Sequence, residues 1–384
     1  MSAPLKVAIV GIGQRGLQHL ENLVELQDQE VVKIKALIDP FGDNLLESNI
    51  QNKIPKYSQR DYHLYTDFQE FLKIDDVDAV WFSIPPNQHQ NEIIQTAKRG
   101  ISIFAEKPQS LFLDQVKDMA EAIQKNNVNS IVGFQMRYDP WYQEIKSYLS
   151  DKWVASITMF NGGGIEAHGT KYTHTEKLGG PENRIWTANR LWSGTSMVEA
   201  GIHQTDLMRF WTNDDIKWVQ SAYSERPQNL HQDEGNNPIA YHVTYGFNNG
   251  GIANLIFIRP ANVMYHERFD YILTTHSLLK FEEDLVAYGK YDPYIKSNTR
   301  TVLATGPHLE PMGKQNTFKI SKAFAESIAT NNPNLRLTSF QNSINSLSAV
   351  LAANASNKLH GERINLEDFY NHPKYSEFRK MPSK

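Results

Sequence analysis

The sequence predicts an α/β fold in which a doubly wound parallel sheet is followed by a second α/β domain with a large, mostly antiparallel open sheet. Short apolar runs alternate with amphipathic stretches through the first 135 residues, and a glycine-rich turn follows the first run. Longer strands that alternate apolar and polar residues begin near Trp153. These patterns predict one domain at residues 1–135, a second domain at 136–369 and a polar tail at 370–384.

The first domain is predicted from six apolar runs. In order, they are KVAIVGIG, VVKIKALID, HLYTD, DAVWFSIP, SIFAEKP and SIVGFQ. The stretches 7–10 and 79–82 are continuously apolar, which is typical of parallel strands that are covered on both faces. Between the later runs, apolar residues from Asp114 to Asn127 recur at spacings of three and four and predict a helix. A second helix, from Asp139 to Leu149, is predicted to lead out of this domain.

The second domain is predicted from a hairpin and several alternating strands. The runs AYHVTYGF and IANLIFIRP are joined by residues 247–251, whose Asn-Gly pair is a strong turn signal. Further strands are predicted at 269–275 and 278–282. Helical patterns follow at 317–329 and 339–358.

Composition narrows the classes of function. The 384 residues carry a formal charge of -4, which provides no basic field for nucleic acid or an anionic membrane. The chain has no cysteine, which excludes disulfides and thiolate sites and is compatible with a reducing cytoplasm. No apolar segment approaches the length of a membrane span, and the strand-like start leaves no room for a signal peptide. We therefore expect a cytoplasmic protein with a small-molecule substrate.

A phosphate-binding turn is predicted directly after the first strand. Its G-x-G-x-x-G motif consists of Gly11, Ile12, Gly13, Gln14, Arg15 and Gly16. The glycines permit close approach of backbone N–H groups to a pyrophosphate at a helix N-terminus, as in a Rossmann fold. A glycine turn without a ligand is the structural alternative.

The second strand ends in Asp39, about 20 residues beyond the glycine motif. An acid there accepts hydrogen bonds from an adenosine ribose and repels a 2′-phosphate. Pro40 and Phe41 follow, with no arginine to receive such a phosphate. NAD is therefore favoured over NADP.

Three further strand ends carry polar side chains at the edge where ligands of such sheets bind. These candidate cofactor-binding residues are Pro85, Asn87 and His89 after the fourth strand, Glu106 and Lys107 after the fifth, and Gln135 after the sixth. Pro108 biases Lys107 toward an extended conformation beyond the sheet. Capping of the next helix is the alternative for Asn87, and an ordinary surface position is the alternative for Lys107.

The chain resembles the Gfo/Idh/MocA oxidoreductases at four motifs and in its late helices. The motifs are the glycine turn, PPxxH at 85–89, EKP at 106–108 and GFxxRYxP at 133–140. The resemblance implies a nicotinamide-binding domain followed by a domain whose open sheet forms the substrate site and often the oligomer interface. It therefore implies a homo-oligomer, either a dimer or a tetramer.

The stretch SMVEAGIHQTDLMRFW, from Ser196 to Trp211, is predicted as one helix with Glu199, His203 and Asp206 on one face. The family commonly has D-x-x-x-H here, with the histidine near the substrate hydroxyl, whereas this chain has Glu199 in place of the aspartate. The resemblance implies that Lys107, His203 and Glu199 are catalytic. A capping box starting at Ser196 is the alternative for Glu199, and a structural role is the alternative for His203.

The segment 161–195 is rich in glycine and in large polar-tipped side chains. We expect it to supply substrate contacts. From this segment, His168 and Trp192 are predicted to bind substrate. Arg137 and Asp206, which lie outside it, are also predicted to bind substrate. A covering loop or an oligomer contact is the alternative for this segment, and no metal site is expected.

Three functions follow from these observations. The first is an NAD-dependent dehydrogenase that acts on a secondary alcohol of a sugar, cyclitol or related polyol. The second is an NAD-assisted glycosidase or epimerase, and the third is a non-catalytic nucleotide-binding regulatory protein.

Overall fold

The computed structural model describes residues 3–58, 62–73, 76–163, 183–230, 235–259, 266–306 and 312–380. Contacts between Cα atoms divide the chain into two compact units. The first contains the described residues of Met1–Gln135 and Gly169–Arg184, together with Gly313–Ile344. The second contains the described residues of Met136–His168, Ile185–Met312 and Asn345–Lys384.

A six-stranded parallel sheet forms the centre of the first unit. Its strands are β1 (Leu5–Val10), β2 (Val32–Ile38), β3 (His63–Tyr65), β4 (Ala79–Phe82), β5 (Ser102–Ala105) and β6 (Ser130–Val132). The spatial order is β3-β2-β1-β4-β5-β6, which is the order of dinucleotide-binding doubly wound sheets. The predicted strands are therefore confirmed. The chain reverses its winding between β1 and β4, where ligands of such sheets bind.

The described residues of the two units form twelve α-helices. They are α1 (Gln14–Asp28), α2 (Glu47–Gln51), α3 (Phe68–Phe71), α4 (Glu92–Lys98), α5 (Leu113–Lys125), α6 (Pro140–Tyr148), α7 (Arg190–Ser193), α8 (Ser196–Glu199), α9 (Ile202–Thr212), α10 (Met312–Ala329), α11 (Phe340–Lys358) and α12 (Leu366–Asn371). Within the described part of the chain, no helix has the length and apolar character that crossing a membrane requires.

Residues 313–344, which the sequence analysis places with the second domain, cluster with the first unit. Phe324 of α10 packs edge-on against Trp81 of β4 and Phe104 of β5, with ring centroids 5.3 and 6.0 Å apart. The Trp81 and Phe104 rings themselves stack at 5.7 Å. A returning helix thus completes the core of the parallel sheet.

A nine-stranded sheet forms the centre of the second unit. Its strands are β7 (Val154–Gly163), β8 (Ile216–Ser224), β9 (Ala240–Phe247), β10 (Ile252–Ile258), β11 (His266–Thr274), β12 (Leu278–Phe281), β13 (Leu285–Asp292), β14 (Ser297–Ala304) and β15 (Ile364–Asn365). The order is β14-β13-β12-β11-β7-β10-β9-β8-β15. The pair of β7 and β10 is parallel, and the other described pairs are antiparallel. This confirms the predicted, mostly antiparallel sheet.

The predicted hairpin joins β9 to β10. Gly250 adopts φ +92° in its turn, a conformation that glycine adopts without steric cost. Ala253, Leu255 and Phe257 are buried on one face of β10, whereas Ile252 is exposed on the other. The alternating pattern therefore separates a core face from an open face.

The predicted helix from Ser196 to Trp211 is wrong in its continuity, because the chain breaks between α8 and α9. A Cβ at Gly201 would lie 2.7 Å from the Met197 sulfur, so there is little room for a side chain at this break. Thr195 caps α8 by accepting a hydrogen bond from the Val198 N–H at 3.3 Å. Thr195 rather than Ser196 is therefore the N-cap, and the capping box starting at Ser196 is wrong.

The last described residues pack against the second unit. A 3₁₀ helix spans Pro373–Phe378, and Tyr375 within it is buried. The buried Arg379 donates hydrogen bonds to the carbonyls of Phe369 and His372 at 2.6 and 3.1 Å. The described part of the predicted polar tail therefore has regular structure and buried side chains.

Candidate functional site

The glycine turn after β1 is lined by backbone. Gly11 has φ +88°, and a Cβ there would lie 2.5 Å from the Ser83 carbonyl oxygen at the end of β4. A Cβ at Gly16 would lie 1.8 Å from the Gly11 oxygen. Gly13 is the N-cap of α1, which has no side-chain cap and no acidic residue in its first turn. The turn therefore forms a cradle for an anion at a helix N-terminus.

Asp39 follows β2 and is buried beside this turn. Its Oδ2 accepts the Ile12 N–H at 2.7 Å, and its Oδ1 accepts the Phe41 N–H at 2.9 Å. A carboxylate oxygen can accept more than one hydrogen bond, so this side chain is chemically suited to a ribose hydroxyl. The carboxylate also makes this position unfavourable for a 2′-phosphate.

The Arg15 side chain bonds to Glu106, which follows β5, and to Thr317 of α10. Its Nε donates to Glu106 Oε1 at 2.7 Å, and its Nη1 donates to Thr317 Oγ1 at 3.2 Å. The guanidinium of the glycine turn is therefore engaged at the end of β5. This arrangement supports NAD over NADP, because Arg15 neutralises a protein carboxylate.

Three buried side-chain oxygens follow β4 and β6 without a hydrogen-bond partner among the described residues. They are Ser83 Oγ, Asn87 Oδ1 and Gln135 Oε1. Unpaired buried polar atoms are costly and require an explanation such as a ligand or water. Amide and hydroxyl oxygens at this edge fit the amide and ribose of a nicotinamide nucleotide.

The capping alternative for Asn87 is wrong, because the next helix, α4, begins at Glu92. Of its predicted neighbours, Pro85 is half-buried and His89 is buried. Burial lowers the pKa of His89 to about 4, so its imidazole is neutral at pH 7.

Lys107 follows β5 and is half-buried. Its N–H donates to Glu106 Oε2 at 3.1 Å, and its bond to Pro108 is a cis peptide. Glu106 is itself buried and also lies 2.7 Å from His19 Nε2. Sequence reasoning missed His19, although its position one helical turn after Arg15 would have placed the two residues on one face of α1.

The predicted catalytic residues of the second unit lie around the helix break. Glu199 is the last residue of α8 and His203 is near the start of α9, and both are half-buried. The His203 N–H donates to the Ala200 carbonyl at 3.1 Å. Trp192 is buried in this unit, and His168 lies outside the described residues. Among the described residues, no group of His, Asp or Glu is arranged to hold a metal ion.

Arg137 and Asp206 form a buried pair inside the second unit. Arg137 Nε donates to Asp206 Oδ2 at 2.7 Å, and Nη2 donates to Oδ1 at 2.8 Å. The Ser346 hydroxyl also donates to Oδ1, at 2.9 Å. This bidentate geometry gives the pair a structural role, and its contact with substrate stays a prediction.

Family and sequence comparisons agree with this geometry. A family model described as an oxidoreductase family with an NAD-binding Rossmann fold matches residues 5–134. An uncharacterized oxidoreductase, YrbE of Bacillus subtilis, is 26% identical over 70% of this chain and 72% of its own length. The scyllo-inositol 2-dehydrogenase (NAD⁺) of the same organism is 26% identical over 57% of each chain. A glycosyl hydrolase family 109 protein of Shewanella baltica is 31% identical over 32% of this chain and 27% of its own length.

Solved structures share the fold over nearly the whole chain. An oxidoreductase from Agrobacterium radiobacter, in complex with NAD⁺, L-tartaric acid and magnesium, aligns with a TM-score of 0.73 and 14% identity. The alignment covers 95% of this chain and 99% of that one. Myo-inositol 2-dehydrogenase from Lactobacillus plantarum aligns with a TM-score of 0.70 and 19% identity, over 94% and 99% of the two chains.

Proposed function

We propose that this chain, whose residues 5–134 match an oxidoreductase family with an NAD-binding Rossmann fold, is a Gfo/Idh/MocA oxidoreductase that transfers hydride between NAD and a secondary alcohol of a sugar, cyclitol or related polyol. The observation that carries the proposal is the glycine cradle beside the buried Asp39, at the switch point of the parallel sheet. The unpaired oxygens of Ser83, Asn87 and Gln135 support it, since a nicotinamide nucleotide would supply their missing partners.

The chemistry assigned to the chain is proton transfer and orientation. When bound, NAD would supply the acceptor for the hydride of the carbinol carbon. Lys107 donates a hydrogen bond to the alcohol oxygen, and a neutral His203 imidazole accepts the hydroxyl proton. Glu199 orients the base. The proton and the hydride therefore leave separately, which balances the conversion of the alcohol to a carbonyl.

The decisive experiment compares Lys107→Ala with Lys98→Ala, which removes an exposed lysine at the end of α4. NADH binding is measured by fluorescence titration, and turnover is measured on a panel of sugars and inositols at the nicotinamide absorbance. We expect Lys107→Ala to bind NADH nearly as the wild type does and to lose turnover. Undiminished turnover would remove the proposed role of Lys107, and absent NADH binding in the wild type would refute the cofactor.

A second candidate function is an NAD-assisted glycosidase or epimerase. The observation that supports it is the 31% identity to a glycosyl hydrolase family 109 protein over 32% of this chain and 27% of that protein. In such a reaction the oxidised substrate is reduced again within one turnover, so no net NADH accumulates. Product analysis beside the absorbance assay separates the two functions.

We also propose that the chain works in the cytoplasm as a homo-oligomer, a dimer or tetramer, through the open face of the nine-stranded sheet. Phe160 of β7 stacks on the exposed Phe269 of β11 there, with ring centroids 5.0 Å apart. Tyr271 and Leu273 continue this row and are also exposed. A second copy would remove these apolar side chains from water.

A further inference from the structure

A buried carboxylate connects the glycine turn to Lys107. We propose that Glu106, His19 and Arg15 form a positioning network that fixes Lys107 and the glycine turn, and that Glu106 is not a ligand of the cofactor. This inference rests on the proposed function, since it concerns the residue to which that function assigns contact with the alcohol.

Hydrogen bonds from the protein occupy both oxygens of Glu106. Oε1 accepts a hydrogen bond from Arg15 Nε at 2.7 Å. The same oxygen lies 2.7 Å from His19 Nε2. Oε2 accepts the Lys107 N–H at 3.1 Å. The side chain is 8% exposed. A carboxylate with three N–H partners and little exposed surface is suited to holding its neighbours in place.

Packing fixes the carboxylate from two further sides. A Cβ at Gly133, at the end of β6, would lie 2.9 Å from the carboxylate carbon and both oxygens. His19 is fully buried, and its ring meets the Phe104 ring edge-on at 4.9 Å. The network therefore has little freedom to rearrange.

The charges of the network favour an ionised Glu106 and a neutral His19. Burial opposes the charge of Glu106 most strongly, but Arg15 and His19 together hold its pKa below its ordinary value. Burial lowers the pKa of His19 and outweighs the opposing hydrogen bond to Glu106, with the nearby Arg15 also lowering this pKa. His19 is thus a neutral N–H donor, and the Glu106 charge is compensated by Arg15.

The network links two functional parts of the first unit. Arg15 and His19 lie one turn apart at the start of α1, directly after the glycine cradle. Glu106 lies directly before Lys107. Reorienting Glu106 would therefore move the Lys107 backbone as well as the start of α1.

Glu106→Gln tests the network because all three partners are donors. The amide of Gln replaces one acceptor oxygen with an NH₂ group, which then faces a donor. A displacement of catalytic groups by about 1 Å can cost about 100-fold in rate, so we expect kcat to fall by about 10-fold to 100-fold. We expect the NADH dissociation constant to rise by a smaller factor than kcat falls, because Glu106 reaches the cradle only through Arg15 and makes no cofactor contact itself.

Asp270→Asn is the matched control. Its carboxylate is also buried and pairs with Arg268 Nη2 at 2.7 Å in the second unit. We expect this variant to lose stability while kcat stays near the wild-type value. If Glu106→Gln behaves in the same way, the network has only a structural role and the proposal is wrong.

Histidine variants provide an independent arm. His19→Gln keeps an N–H donor at a comparable distance, whereas His19→Leu removes it. We expect kcat to be retained better in His19→Gln than in His19→Leu, at similar NADH affinity. Equal kcat values, or a loss of NADH affinity that accounts for the whole effect of Glu106→Gln, would overturn the proposal. Failure of the wild type to bind NADH would instead refute the proposed function.

Discussion

Replacing Gly11 by alanine tests the cradle on which the cofactor assignment depends. Two costs are expected. An alanine at φ +88° is in a left-handed conformation, which costs about 1–2 kcal/mol. Its Cβ would also lie 2.5 Å from the Ser83 carbonyl oxygen, and overpacking of this kind typically costs about 1–3 kcal/mol. The Ser83 carbonyl has little freedom to withdraw, because the Ser83 N–H is bonded to the Val10 carbonyl at 2.8 Å.

Gly100→Ala is the matched control in the same unit. Gly100 has φ +72°, and a Cβ there meets no atom within 4 Å. Only the conformational cost of about 1–2 kcal/mol is therefore expected. The difference between the two variants isolates the steric contact between β1 and β4.

Two measurements decide the outcome. Denaturant titration should place Gly11→Ala about 1–3 kcal/mol below Gly100→Ala in the free energy of unfolding. NADH titration should show at least about a 10-fold loss of affinity for Gly11→Ala, since widening the turn by a few tenths of an ångström displaces the N–H groups that face the pyrophosphate. Equal stabilities together with unchanged NADH affinity would refute the account of the cradle.

Three further predictions concern stability, pH and assembly. Asp206→Asn removes one charge of the buried pair with Arg137 and should cost about 3–5 kcal/mol in a denaturant titration, so an unchanged midpoint would contradict its structural role. The folded pKa of His89, about 4, lies below its unfolded value of about 6.5, so the unfolded chain binds the proton first as pH falls and the folded state loses stability between these values. His89→Gln should therefore lose about 2.5 kcal/mol less stability than the wild type between pH 7 and 4.5, and parallel curves would exclude this titration. Leu273→Asp places a charge on the open sheet face and should yield monomers by light scattering, whereas an unchanged mass would point to another interface.

Local patterns in the sequence predicted the strands and the cradle. The continuous apolar runs of β1 and β4 require burial on both faces, and the alternation in β10 requires burial on one. The glycines at 11 and 16 are needed because any side chain there would collide with backbone. Each of these features depends on a short segment and its own backbone. It can therefore be predicted from the sequence.

Local patterns did not predict the break at Gly201 or the path of the late helices. The helical spacing around His203 is correct on both sides of the break, but the chain leaves the helix between Glu199 and Ile202, where Gly201 lies against the Met197 side chain. Likewise, α10 has an ordinary helical pattern, and its place in the first unit depends on the fit of Phe324 against Trp81 and Phe104. For α10, side-chain fit between segments that are distant in sequence decides the position.

By itself, the sequence determined which residues stand at the carboxyl ends of the parallel strands, among them Asp39, Glu106 and Lys107. The tertiary structure decided what each of them bonds to. It paired Glu106 with Arg15 and His19, and it paired Arg137 with Asp206. The physical reason is that charge pairing in a buried site depends on three-dimensional distance between side chains, which spacing along the chain does not specify.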